Sequence, residues 1–196
     1  MPYPMKPQNN KQDETSDIYT HFIDILFAIV IGQSFVLINS PEGYKYWWTR
    51  PRENLFGIVT LILIYGLVIT SWIGYHRSIR KFPIKTPSRF LVDISLLFVY
   101  YMGFVNANDF QFVLVVFFAS FLLYFVWDLL RLFEYQKDML KLGLIKRSLI
   151  SLIFWFFFLV IYLLYVYALR EMEWTYGAYI IIILTLLVLY RYLKWR

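Results

Sequence analysis

Six long apolar stretches, at 21–38, 55–75, 90–105, 110–130, 149–169 and 176–192, divide this chain, and almost all of its charge lies between them. A bilayer core of about 30 Å is crossed by a helix of roughly 20 apolar residues, with about 17–25 tolerated. All six stretches meet or approach that length. The third is the shortest and has to stand nearly upright or thin the bilayer. The breaks between them carry turn chemistry: Asn39-Ser40-Pro41-Glu42-Gly43 after the first, Phe82-Pro83 and Thr86-Pro87 after the second, and Asn106-Ala107-Asn108-Asp109 between the third and fourth. The pattern predicts an all-α, integral membrane six-helix bundle over 18–196. It is preceded by a short, loosely ordered polar tail, 1–17, with no signal-peptide pattern.

Composition agrees with that reading. The chain is 60% hydrophobic, 22% aromatic and only 16% charged, unlike a soluble domain of this length. A formal charge of +6 would fit a nucleic-acid partner if the basic residues formed a patch. They sit instead in short segments beside apolar runs, as membrane topology requires. With the N-terminus inside, fifteen Lys and Arg fall on the inner side and four on the outer, so both termini are expected to be cytoplasmic. The segment Tyr44-Lys45-Tyr46-Trp47-Trp48 reads as an interfacial aromatic belt on the outer side. The fourth stretch runs on through Arg131, Leu132, Phe133 and Glu134 toward Leu144. It is expected to leave the membrane there as an amphipathic helix near the inner surface.

Several functions are disfavoured by what the chain lacks. It has no cysteine and two histidines, so thiol chemistry, disulfides and His-rich metal or haem sites are excluded. No HExxH, Ser/His/Asp or glycine-rich phosphate motif is present, and no catalytic, cofactor or metal site is expected. There is no span with Arg at every third position and no TVGYG filter.

The polar residues inside the spans carry the remaining information. An ionisable side chain at the centre of a membrane helix costs about 2.5–3.5 kcal/mol on insertion scales, so each one needs a reason. Antiparallel topology puts Asp24 of the first helix, His76 of the second and Asp93 of the third at one depth. Trp72, one turn before His76, adds an indole donor on the same face. These four residues predict a polar clamp between helices, set against the simpler reading of side chains snorkelling to the interface. Asp128 is at a similar level and can reach Arg131 at i+3. In the first helix, Ile25, Ile29, Gly32, Gln33 and Val36 share a face at helical spacing. An amide such as Gln33 in hydrocarbon needs either a neighbouring helix or water. In the second case Ile29 and Val36 would be apolar constrictions on a water-lined path.

The run His21-Phe22-Ile23-Asp24-Ile25-Leu26-Phe27-Ala28-Ile29 resembles the first helix of the transmembrane-protein-175-type potassium channels, which carries a Phe-Ser-Asp motif and then an apolar pore-lining face. Ser71-Trp72-Ile73-Gly74-Tyr75-His76 is similar to that family's Trp-x-x-x-His pattern, and Arg89 to Leu97 resembles its leucine-rich third helix. Six spans in about 200 residues is the size of its prokaryotic members. This chain has Ile23 in place of the motif serine, Ile18 where the family has an Arg, and Asp93 where it tends to have Asn. Gln33 falls near a position that is usually apolar. The resemblance covers 18–103. It implies a homotetramer in a prokaryotic inner membrane, with the first helices around a pore permeable to potassium or other monovalent cations and Ile29 as the main constriction. Pore-lining residues would be Ile25, Ile29, Gln33 and Val36. The alternative is a non-conducting membrane anchor or regulatory subunit that binds a partner protein through its basic cytoplasmic loops, the segment 77–89 and the amphipathic stretch after Leu130.

Overall fold

The computed structural model describes residues 10–40, 55–135, 141–169 and 175–195. They form six long helices: α1 (Asn10–Asn39), α2 (Leu55–Ile79), α3 (Pro87–Val105), α4 (Phe110–Glu134), α5 (Lys141–Leu164), which runs on into a π-helical turn at Tyr165–Leu169, and α6 (Thr175–Trp195). Each contains a segment long and apolar enough to cross a membrane. The chain is an all-helical, multi-pass membrane protein.

The helix ends follow from local chemistry. Pro87 opens α3, where its missing N–H is not needed and its fixed φ suits a first turn. This start extends α3 to 19 residues, longer than the apolar run alone predicts. Asn106 closes α3, its backbone and side-chain N–H groups both donating to Met102 O. Asp109 then caps α4 by accepting from the backbone N–H of Phe112 at 3.1 Å. The predicted tight turn is therefore built from its two polar residues.

Two further boundaries differ from the expectation. The segment 10–17 is helical and continues into α1, because no residue there breaks a helix. The rest of the expected tail, residues 1–9, lies outside the described residues. The fourth helix does run on through Arg131, Leu132, Phe133 and Glu134, but it does not continue to Leu144. α4 ends at Glu134, the Tyr135 N–H bonds Arg131 O at 3.1 Å, and Leu144 belongs to α5. The reason is that Arg131 and Glu134 are drawn into buried polar contacts instead of facing the membrane surface. The aromatic segment 44–48 lies outside the described residues.

Side-chain pairs set the register of the bundle. Asp24 meets Trp72 and His76 while Ser34 meets Tyr65, so α1 and α2 are antiparallel. Tyr100 bonds Ser71 while Phe104 packs on Tyr65, which makes α3 antiparallel to α2. Arg89 meets Glu134 and Tyr100 meets Tyr124 across α3 and α4. Asp128 meets Ser151 and Phe110 meets Tyr165 across α4 and α5. Ser151 meets Tyr190 and Tyr165 meets Tyr179 across α5 and α6. The chain therefore goes up and down six times, and the start of α1 and the end of α6 lie at the same end.

Lipid tails are as apolar as a leucine core, so membrane helices associate through close packing and hydrogen bonds. α4 is the central helix, with Val113, Leu114, Phe117 and Phe121 fully buried. Phe121 stacks on Phe158 with ring centroids 4.5 Å apart, and Phe117 stacks on the same ring at 5.5 Å. Gly103 lets α3 approach this helix, since a Cβ there would come within 3.1 Å of Val116 Cγ1. Hydroxyls join the helices across the core. Tyr100 donates to Ser71 at 2.7 Å and its oxygen lies 2.6 Å from that of Tyr124, linking α2, α3 and α4.

Candidate functional site

Two features stand apart from ordinary packing: the outer face of α1, and a layer of buried charge at the end of the bundle where α1 starts and α6 ends.

α1 packs through Ile23, Phe27, Val30, Ser34 and Ile38, all buried. The opposite face is uncovered. Ile25, Ile29 and Val36 are 59%, 51% and 61% exposed, and Gly32 and Gln33 are exposed with them. The Gln33 amide forms no hydrogen bond among the described residues. By contrast Ser34, the next residue, is fully buried, donates to Ile31 O at 2.6 Å and meets the Tyr65 hydroxyl at 2.6 Å. The helix thus satisfies the polar group on its packed side and leaves the one on its open side without a partner.

Of the four residues expected in a polar clamp, three come together. The Trp72 indole donates to Asp24 Oδ1 at 3.2 Å. His76 Nε2 lies 2.9 Å from the same oxygen, at an angle that departs from a linear hydrogen bond. Trp72 and His76 meet edge to face at 5.0 Å, as residues four apart on one helix do. The Asp24 and His76 side chains are about a third exposed, so this contact contributes about 1 kcal/mol or less. Asp93 does not join it. Its side chain turns inward, its Oδ2 is buried without a hydrogen-bond partner, and it lines a cavity with Trp127 and Asp128. The shared depth of the four residues did not determine which way each one faces.

The charged layer is more extensive than the sequence discloses. Arg89, expected in a basic inner loop, is fully buried and forms an ion pair with Glu134. Its guanidinium also donates to Phe82 O at 3.1 Å and Pro83 O at 3.2 Å and lies 4.4 Å over the Trp127 ring. Glu134 further accepts from the Thr86 backbone N–H at 2.9 Å and from the Thr86 hydroxyl. This single carboxylate holds the link between α2 and α3 onto the end of α4. Arg89 is consequently not available to a partner protein, and the exposed basic residues of that segment are Arg77, Arg80, Lys81 and Lys85.

Asp128 is the second centre. It accepts from Arg131 Nη2 at 2.8 Å, the i+3 contact expected from spacing, and from the Ser151 hydroxyl at 2.6 Å. It also pairs with Lys194 at the end of α6. Arg131 in turn donates to Ser78 at 2.8 Å. The carboxylate therefore ties α4 to α5 and α6 directly and to α2 through Arg131. The partners of Asp128 and Glu134 on other helices lie 23–66 residues away in sequence, so spacing along the chain gives no sign of them.

No family model matches the chain, and no curated protein or solved structure matches it.

Proposed function

We propose that the chain is one subunit of a homotetrameric, potassium-permeable cation channel of a prokaryotic cell membrane, with both termini cytoplasmic and the outer face of α1 lining the pore. The observation that carries this reading is the pair formed by Gln33 and its surroundings: an unpartnered amide on an uncovered face, inside the span 17–39. An amide left in hydrocarbon without a hydrogen bond costs several kcal/mol. Packing α1 against copies of itself around water satisfies Gln33. It also leaves Ile25, Ile29 and Val36 as apolar rings that resist wetting. The resemblance of α1–α3 to the transmembrane-protein-175-type channels points the same way. The charged layer does not obstruct such a pore. It lies inside each subunit, and among the described residues α1 contributes to the cavity lining only Phe27, on its packed face.

The chain has no native cysteine, so single cysteines give a clean test. Cysteines at positions 29, 33 and 36 are expected to react with water-soluble thiol reagents in intact membranes, while cysteines at the lipid-facing positions Ile181 and Val188 on α6 stay protected. Protection of all three α1 positions would remove the pore from this helix.

A further inference from the structure

A cavity of about 420 Å³ opens among the helices at the end where α1 starts and α6 ends, with walls from every helix and from the link between α2 and α3. Its volume is that of a small-molecule site. Among the described residues its lining carries seven basic side chains and two carboxylates, an excess of five positive charges. Arg131 and Lys194 are paired with Asp128. Arg80, Lys81, Arg147 and Arg191 share the lining with one further carboxylate, Asp93.

Arg191 is the most informative of these. It is 9% exposed and forms no ion pair among the described residues. Its guanidinium lies 5.5 Å and 5.3 Å from the ring centres of Tyr124 and Tyr190, its one hydrogen bond is a long 3.4 Å contact to the Tyr124 hydroxyl, and its Nε is buried without a partner. A buried guanidinium without a counter-ion is strongly unfavourable. The fold also makes room for this one. Gly74 faces it so closely that a Cβ would stand 2.8 Å from Arg191 Nη1. A positively charged cavity with a fork-shaped donor held between aromatic rings is the chemistry that recognises phosphate oxygens.

We propose that this cavity binds a phosphate-bearing anion, supplied by an acidic lipid headgroup or by a soluble phosphate. The anion neutralises Arg191 and Arg147 and joins α2, α5 and α6 at this end of the bundle. The site is separate from the proposed pore and does not depend on the channel reading.

The test uses the full chain in nanodiscs of phosphatidylcholine, with and without phosphatidylglycerol, and in phosphatidylcholine alone titrated with inorganic phosphate against chloride of equal ionic strength. Thermal midpoint and lipid retained in native mass spectrometry are the readouts. A raised midpoint and retained phosphatidylglycerol identify a lipid headgroup, and a rise with phosphate over chloride identifies a soluble anion. In either arm the R147Q/R191Q variant is expected to bind about tenfold more weakly or worse. Where that variant fails to fold, two milder changes replace it: R80Q/K81Q at exposed positions, and G74A, which requires only the Arg191 guanidinium to move. Each is expected to weaken binding. Absence of an effect from both ligands, or binding that is equal in the wild type and the folded variants, would overturn the proposal.

Discussion

Replacing Asp128 by alanine is expected to destabilise the folded bundle by about 3–5 kcal/mol, the cost of leaving buried charge without its partner. The carboxylate is 2% exposed and faces two cations, Arg131 and Lys194, together with the Ser151 hydroxyl. Its removal leaves two positive groups close together in a region that already carries an excess of positive charge. The effect follows from the remaining cations, so it should shrink when one of them is also removed. D128N combined with K194M is expected to lose less than the two single variants added together, because the double change removes a charge of each sign. Denaturant unfolding in mixed micelles reads both values. A loss below about 1 kcal/mol for D128A would place Asp128 among the weak, solvated pairs typical of exposed surfaces.

Ile29→Asn is expected to raise the current through reconstituted protein on the order of tenfold. A tenfold change in rate corresponds to about 1.4 kcal/mol, and the difference in wetting between an apolar side chain and an amide exceeds that. Ile29 is half exposed in the subunit and is not part of the buried core, so the change is expected to act on the pore with little effect on folding. The same substitution at Ile181, 65% exposed on α6, serves as the control for a lipid-facing site and is expected to leave the current unchanged. Equal and absent currents in wild type and I29N would favour the non-conducting anchor, with the exposed linker residues Arg80 and Lys81 as its contact surface.

Much of the architecture is legible in the sequence because hydrocarbon thickness is a strict ruler. Six apolar runs become six helices, and Asn106 and Asp109 form the turn that their side chains predict. The meeting of Asp24, Trp72 and His76 is also legible, since antiparallel neighbours with polar groups at one depth have few alternatives. The rest was hidden for physical reasons. Arg89, Glu134, Arg131 and Lys194 stand at the ends of apolar runs, where a charge reads as solvated loop. Whether such a residue turns outward to water or inward to a partner depends on helix rotation, which hydropathy does not report. Asp93 shows the same effect: its direction is set by how α3 packs on α4. The basic cavity is assembled from all six helices and a linker, and no local pattern marks it.

The most direct test of the channel account is the symmetry of the assembled protein, imaged in nanodiscs. The account predicts a fourfold ring with α1 innermost, Ile29 at the narrowest point and Gln33 facing water. A monomer, or a dimer whose centre is filled with lipid, would contradict it.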